Sequence, residues 1–240
     1  PGSYLGENGY GLIRGTRSRA VPGLDKYHGS DTFLTEALTL EAMAQIDTAV
    51  ADGKPFFLYM SHYAVHNPFE IDKRFIAHYQ DTAYSREARG YATLIEGMDK
   101  SLGDLMDHLE TAGVAENTLV VFLGDNGSDA PLGEAQDIGS SAPLRGKKGS
   151  EFEGGTRVPC IIAWARPDNG NAWQRKYPVL QGVITRKVGT IMDIFPTLTL
   201  ISGAQVPLPP AHTGDGYLLW GILSGSDDPW HEGTFLNHLP

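Results

Sequence analysis

Apolar residues recur along one face of a long segment between Ser85 and Ala112. They fall three and four residues apart, which is the period of a helix with one buried stripe. Gly113 follows the segment, and glycine commonly occupies the position just after a helix ends. We therefore predict a helix over residues 85–112. Its apolar stripe consists of Tyr91, Leu94, Ile95, Met98, Leu102, Leu105, Met106 and Leu109.

Two further helices are predicted on either side of this segment. The first begins at Thr39, whose hydroxyl suits an N-cap, and ends at Gly53. The second covers residues 190–201 and is kinked or restarted at Pro196, because proline cannot donate a backbone hydrogen bond inside a helix. The glycine- and proline-rich residues 1–34 and 203–217 are predicted to be loops.

Three short apolar runs are typical of buried strands, at residues 55–60, 119–123 and 158–164. Strands that alternate with helices and loops predict an α/β fold, with a parallel sheet covered by helices on both faces. In such sheets ligands bind beyond the carboxyl ends of the strands. The polar residues just after Met60 and just after Leu123 are therefore the first candidates for function.

Composition excludes several classes of protein. The 240 residues include 19 basic and 29 acidic side chains, so the net charge is −10, which argues against a general nucleic-acid binder. The single cysteine, Cys160, excludes a disulfide framework and a multi-cysteine zinc site within this chain. Its place inside an apolar strand indicates a buried structural thiol. No apolar run reaches the roughly 18 residues that span a bilayer.

Asp125 and Asn126 follow the second predicted strand directly, between Gly124 and Gly127. A carboxylate and an amide oxygen are hard ligands that suit Ca²⁺ or Mg²⁺. The same residues are also ordinary turn formers, and the spacing alone does not separate the two interpretations. Since Ca²⁺ takes about six to eight oxygens, a metal site here needs further carboxylates from elsewhere.

Two other groups of residues have candidate chemistry. His66 follows the first predicted strand and could protonate a leaving group or bind an anion, whereas we expect His62 to be a structural loop histidine. The stretch from Pro143 to Gly149 places Arg145, Lys147 and Lys148 in an open glycine-rich loop that an anion could approach. The alternative is a solvated basic loop.

The order of these segments resembles the sulfatase family of the alkaline-phosphatase superfamily. Residues 55–59 with 64–68 are similar to its "PFFLY…PHxP" segment, and residues 117–127 to "NTxVxFxSDNG". Residues 143–159 are similar to "LRGxKxxxxEGGxRVP", and residues 193–198 to "DxxPTL". The likeness covers roughly residues 35 to 201, and weaker likenesses continue to residues 234–238. No motif is decisive alone, but the ordered set is specific.

The resemblance implies an alkaline-phosphatase-like fold, with residues 1–201 as the middle and C-terminal part of a catalytic α/β domain and residues 202–240 as a linker and the start of a small C-terminal subdomain. It implies hydrolysis of an aryl or carbohydrate sulfate with Ca²⁺, or Mg²⁺, and a formylglycine made from a Cys or Ser upstream of this chain. Asp125 and Asn126 match metal ligands, Lys148 matches the lysine that contacts sulfate, and His66 matches the histidine that protonates the leaving oxygen. The implied compartment is periplasmic, extracellular or lysosomal.

Some features depart from the family pattern. Residues 141–145 match the nucleophile motif C/S-x-P-x-R literally, but they lie on the wrong side of Asp125 and we interpret the match as coincidence. We therefore expect this segment alone to be inactive. A phosphodiesterase or phosphonate monoester hydrolase on the same scaffold, and a non-catalytic relative that binds sulfated glycans, are the alternatives. The partner in each case is a small molecule or glycan rather than nucleic acid.

Overall fold

The computed structural model describes residues 21–80, 83–128, 139–204, 216 and 218–225. The chain divides into two compact units, and each includes two separate stretches of sequence. Unit 1 comprises Pro1–Val114 and Gly124–Pro159, and unit 2 comprises Ala115–Leu123 and Cys160–Pro240. The predicted boundary between residues 201 and 202 stays a prediction, because most of residues 205–240 lie outside the described residues.

The regular elements in the described residues are mostly helical. The α-helices are α1 (Leu34–Ala51), α2 (Arg86–Thr111), α3 (Glu153–Thr156), α4 (Ala172–Lys176), α5 (Ile194–Ser202) and α6 (Trp220–Ser224). The strands are β1 (Leu119–Leu123) and β2 (Cys160–Trp164). Short 3₁₀ turns occur at Asp25–Tyr27, Ile76–Tyr79, Ala115–Asn117 and Ile191–Asp193.

Helix α1 begins earlier than the sequence pattern indicated. Its N-cap is Phe33 rather than Thr39, so the predicted start was wrong. The first turn is buried because Leu34 and Ala37 pack with Val21 and Leu24 in a small hydrophobic cluster, and this packing extends the helix upstream. Thr39 instead lies inside the helix, where its hydroxyl contacts the Ser101 hydroxyl on α2 at 2.6 Å.

Helix α2 confirms the predicted boundaries, because Ser85 accepts a hydrogen bond from the Ala88 amide and Gly113 follows with φ of 69°. The predicted buried stripe is only partly correct. Among its large residues Leu94 and Leu109 are buried, but Ile95 is 43% exposed. Much of the buried face consists of small residues, which allow close approach to α1 and to the loop after His66; they are Ala88, Gly90, Thr93, Gly97 and Ser101.

Residues 55–60 do not form the predicted strand. The segment is extended without regular structure, and Phe57 and Tyr59 are 77% and 81% exposed. A strand requires a neighbour that accepts and donates backbone hydrogen bonds, and none of the described residues supplies one to this segment. The prediction from apolar composition alone was therefore wrong for this structure.

Strands β1 and β2 pair with each other as an antiparallel ladder within unit 2, with Leu119 opposite Trp164 and Leu123 opposite Cys160. This pair is antiparallel, whereas the expected sheet is mostly parallel, and the parallel arrangement of a wider sheet stays a prediction. An antiparallel pair needs no crossover helix between its strands, whereas a parallel pair does. Strand β2 starts after Pro159, two residues later than the apolar run suggested.

Unit 2 continues from β2 into α4 and α5. The Trp164 indole donates to the Tyr177 carbonyl at 3.0 Å, and both side chains are buried. Helix α5 confirms the last predicted helix from residue 194 onward, with Pro196 in its first turn and Gly203 at its C-cap with φ of 68°, whereas residues 191–193 form a 3₁₀ turn. None of the described helices is both long and apolar enough to span a bilayer.

Candidate functional site

Asp125 and Asn126 lie in a loop that begins directly after β1. The Asp125 side chain is exposed, Asn126 is half-buried and Gly127 is buried. Gly124 donates its amide hydrogen to the Pro159 carbonyl at 3.1 Å, which holds the start of this loop against the residues that precede β2. The Asp125 residue is therefore exposed to solvent, while the backbone on either side of it is held by the bond at Gly124 and by the burial of Gly127.

A second loop carries Lys148 and is bonded to the first. The Lys148 amide donates to the Ser128 carbonyl at 2.8 Å, and the Gly127 amide donates to the Gly155 carbonyl at 2.8 Å. These two bonds join stretches about twenty to thirty residues apart in sequence. The structure thus brings the backbones of Asp125, Asn126 and Lys148 into one assembly inside unit 1.

The two neighbouring lysines differ in their surroundings. Lys148 is half-buried, whereas Lys147 is exposed. The Lys147 backbone is held by Ser150, whose hydroxyl accepts from the Lys147 amide at 3.1 Å and donates to the Lys147 carbonyl at 2.8 Å. The Lys148 amide is also bonded to the loop that carries Asp125, while the selection of Lys148 as the site lysine stays a prediction.

His66 lies in an exposed turn of unit 1 and bonds within its own loop. Its amide donates to the Tyr63 carbonyl, and Nδ1 lies 2.8 Å from the Asn67 carbonyl oxygen. A carbonyl oxygen only accepts, so Nδ1 must carry a hydrogen and Nε2 is the remaining atom for proton transfer. In the described residues, no hydrogen bond or ion pair joins His66 to Asp125, Asn126 or Lys148, and their convergence stays a prediction.

The structure also describes the three residues that the sequence analysis set aside as functional groups, namely His62, Cys160 and Ser141. His62 is half-buried, its Nδ1 has no hydrogen-bond partner, and burial lowers its pKa from 6.5, so the ring is neutral at neutral pH. Cys160 is exposed, so the prediction of a buried thiol was wrong; partial burial of its sulfur still raises the pKa of the thiol, which disfavours the nucleophilic thiolate. Ser141 donates to the Gly154 carbonyl at 3.3 Å, so its hydroxyl is engaged in loop structure.

The residues present fit part of a metal site. Asp125 and Asn126 supply hard oxygen donors of the kind that Ca²⁺ and Mg²⁺ prefer, but two donors are fewer than Ca²⁺ requires. Across the described ranges, no three His, Cys, Asp or Glu residues come together as a possible metal centre. Asp125 and Asn126 would therefore hold one side of an ion whose remaining ligands come from elsewhere.

Two cavities in unit 1 lie apart from the bonded loops. One of about 340 Å³ lies between α1 and α2 and is lined by Thr39, Arg74 and Lys100 among others. A smaller cavity of about 20 Å³ is lined by His66, Tyr63 and Leu94, and it has room for little more than one water molecule. Neither is lined by Asp125, Asn126 or Lys148.

Sequence reasoning missed the residues that hold the two loops together. Gly127, Gly154 and Gly155 are buried in their contact, and the Arg145 guanidinium stacks on the Phe152 ring at 3.8 Å from its centroid. The high glycine content of residues 146–155 was a visible signal. It was interpreted as openness to an anion, whereas the structure shows close backbone packing.

The chain is similar to a known protein family and to several curated proteins. The family model described as Sulfatase matches residues 11–203. Mouse steryl-sulfatase is 33% identical over 192 residues, which cover 78% of this chain and 27% of that protein. The chain spans about a third of the length of the curated relatives that it matches.

Solved structures show a similar fold. The chain matches Ps i-CgsB in complex with k-i-k-neocarrahexaose with a TM-score of 0.64 and 28% identity, over 82% of this chain and 40% of that one. It matches the PsFucS1 sulfatase from Pseudoalteromonas sp. with a TM-score of 0.62 and 26% identity, over 80% of this chain and 34% of that one. The described elements therefore share the fold of these proteins. A sheet wider than the pair of β1 and β2 stays a prediction for this chain.

Proposed function

Because the chain belongs to the sulfatase family, we propose that the full-length protein hydrolyses a sulfuric ester and that this chain supplies part of its site. The observation that carries the proposal is the pair of backbone hydrogen bonds that joins the Asp125 loop to the Lys148 loop. An acid–amide pair and an ammonium group are thereby held on neighbouring backbones. Such a pairing suits a tetrahedral anion bound together with a cation.

Asp125 and Asn126 would hold one side of a divalent cation, Ca²⁺ in the first instance, through their side-chain oxygens. When bound, the cation would neutralise charge on the sulfate and polarise its oxygens. The formylglycine, from a Cys or Ser that we place upstream of this chain, would supply the attacking oxygen. The remaining acidic metal ligands are also proposed to lie upstream.

Lys148 and His66 would act on the bound ester directly. The ammonium of Lys148 would donate hydrogen bonds to a sulfate oxygen and to the bridging oxygen, where negative charge grows as the S–O bond breaks. With Nδ1 of His66 donating to the Asn67 carbonyl, a proton on Nε2 would be available for the leaving alcohol. His66 must then be doubly protonated before the bond breaks.

Two findings support a sulfated carbohydrate as the substrate. One matched structure is Ps i-CgsB in complex with k-i-k-neocarrahexaose, and relatives include an N-acetylgalactosamine-6-sulfatase. We propose a carbohydrate sulfate as the main class, with an aryl sulfate as a small reporter substrate. The proposed compartment is periplasmic, extracellular or lysosomal.

The test compares the full-length protein on paired sulfate and phosphate esters of one chromogenic alcohol. We expect faster turnover of the sulfate, and a loss of at least about 10²-fold in kcat/KM in Lys148→Ala, because a charged donor to the transition state is removed. His66→Ala should lose about 10²-fold on poor leaving groups and less on good ones, since a good leaving group needs no proton.

Two matched controls sharpen this experiment. Lys147→Ala removes the neighbouring exposed ammonium, and His78→Ala removes an exposed histidine that bonds to Glu96 at 2.7 Å. Both should keep near wild-type turnover. Wild-type rates in Lys148→Ala, or an equal loss in Lys147→Ala, would contradict the assignment. A faster phosphate reaction would favour the phosphodiesterase alternative, and binding of sulfated glycan without turnover would favour the non-catalytic one.

A further inference from the structure

The Asp125 loop and the Lys148 loop touch through their backbones at three glycines. Gly127, Gly154 and Gly155 are all buried, and we call these three residues the glycine latch. None of them has a positive φ angle, so the backbone conformation does not require glycine there. The requirement for glycine must therefore come from the space around each residue.

Gly127 lies against the backbone of the Lys148 loop, and Gly154 and Gly155 lie against carbonyls of residues 145–150 within that loop. A Cβ atom at Gly127 would come within 3.0 Å of the Gly154 backbone. One at Gly154 would come equally close to the Arg145 and Gly146 carbonyl oxygens. A Cβ at Gly155 would meet the carbonyl oxygens of Lys147 and Ser150 in the same way. Because these neighbours are backbone atoms, they cannot rotate away as a side chain can.

The close packing allows hydrogen bonds that longer separations would break. Gly127 donates to the Gly155 carbonyl at 2.8 Å, and Gly154 donates to the Arg145 carbonyl at 2.7 Å. Lys148, which lies between these contacts in the sequence, donates to the Ser128 carbonyl at 2.8 Å. A Cβ that pushed these backbones apart would lengthen the hydrogen bonds that join them.

We propose that Gly127, Gly154 and Gly155 are positioning residues that fix the Lys148 ammonium relative to the Asp125 carboxylate. This inference rests on the proposed function, because it assigns the latch a role through Lys148. The latch contacts neither substrate nor cation. The latch fixes the Lys148 backbone against the Asp125 loop before the ester binds. The entropic cost of ordering this loop on binding is therefore smaller.

The kinetic test is a double-mutant cycle in the full-length protein with Gly154→Ala, Lys148→Ala and the double variant. Gly154→Ala should lower kcat for a sulfate ester by about 10²-fold, the effect expected of a misplacement near 1 Å. In the Lys148→Ala background the same change should cost less than about 3-fold, because the residue being positioned is absent. An equal loss in both backgrounds would overturn the proposal and leave only a structural role.

Gly103→Ala provides the matched control. Gly103 lies on the exposed side of α2, and a Cβ there would meet nothing within 4 Å. The same substitution at this position should leave kcat unchanged. A comparable loss in Gly103→Ala would show that the assay reports general destabilisation and would remove the support for the latch.

A second measurement covers the case in which Gly154→Ala does not fold. Amide hydrogen exchange in the unmodified protein should show slow exchange at the Gly127 and Lys148 amides, although both lie in loops. Fast exchange there in an active enzyme would overturn the latch alone. Slow exchange in a protein that hydrolyses no sulfate ester would instead overturn the proposed function, and with it the role of Lys148.

Discussion

The loops that carry Lys148 and His66 belong to the same unit but are fixed by different kinds of contact. The Lys148 loop is held by backbone amides, carbonyls and buried glycines. The segment after His66 is held by charged side chains, because Arg74 bonds to the buried Asp72 carboxylate at 2.7 Å and to Glu36 of α1 at 3.1 Å. The Asp72 amide also donates a hydrogen bond to the Thr93 hydroxyl of α2 at 3.0 Å.

This difference teaches how each loop should respond to change. Backbone packing tolerates almost any side chain that points away from the contact but no added Cβ within it. A buried carboxylate tolerates small shifts in backbone but not the loss of its partner, since the remaining charge would be buried and unpaired. Substitutions in the two regions should therefore differ in kind as well as in size.

The largest effect is expected at the ion pair. Arg74→Met keeps a side chain of similar length but leaves the Asp72 carboxylate, which is 1% exposed, without its guanidinium. We expect the free energy of unfolding to fall by about 3 kcal/mol, the lower end for broken buried pairs because Arg74 itself is partly exposed. Denaturant unfolding measures this loss. An unchanged midpoint would show that the side chains around His66 are not what fixes its loop.

The next largest effect is expected at Gly90, where the backbone of α2 packs against the segment after His66. A Cβ at Gly90 of α2 would come within 3.0 Å of the Phe69 carbonyl, three residues after His66. Gly90→Ala should cost about 1–3 kcal/mol through overpacking. Gly103→Ala on the same helix should be neutral or stabilising, because alanine favours a helix and the site is open. Thermal unfolding of the Gly90→Ala and Gly103→Ala variants tests this difference in stability. Equal unfolding midpoints would contradict the close contact at Gly90.

A smaller effect is expected at Arg145, the arginine of the Lys148 loop. Its guanidinium stacks on Phe152, which is 45% exposed, and exposed cation–π pairs contribute about 0.5–1 kcal/mol. Arg145→Met should therefore destabilise the protein by no more than that, much less than the same substitution at Arg74. Unfolding midpoints of the two variants in one buffer test the comparison. An equal or larger loss at Arg145 would mean that this loop also depends on a charge.

The smallest effect is a pH dependence at His62. Burial lowers the pKa of this ring below 6.5, so the unfolded chain takes up a proton there before the folded protein does. The stability associated with His62 is complete above pH 6.5 and decreases as the pH falls towards the folded-state pKa. His62→Gln should flatten the pH dependence of the unfolding midpoint in that window, and His78→Gln is the exposed control. An unchanged profile in His62→Gln would contradict the burial.

Local signals predicted helices better than strands. The cap at Ser85 and the stop at Gly113 gave the limits of α2, because both signals lie next to the element that they end. The start of α1 was missed because it depends on Val21 and Leu24, which are distant in sequence from Thr39. Residues 55–60 and the antiparallel pairing of β1 with β2 were missed because strand pairing is set by long-range partners.

The site was predicted in the same uneven way. Residue type and position after a strand drew attention to Asp125 and Asn126, the resemblance to the family motif selected Lys148, and the structure joins their loops. The role of Gly127 and Gly154 could not be predicted, since a glycine required for space has the same letter as one required for a turn. The place of His66 relative to the other three stays a prediction.

The bond from the Gly124 amide to the Pro159 carbonyl has a consequence for variation among related enzymes. It anchors both ends of residues 124–159, so changes in length between those ends leave the anchors in place. Lengthening a chain between fixed ends costs only about 0.6 kcal/mol per doubling. We expect the segment between these two residues to accept insertions and deletions while the bond that joins its ends is kept.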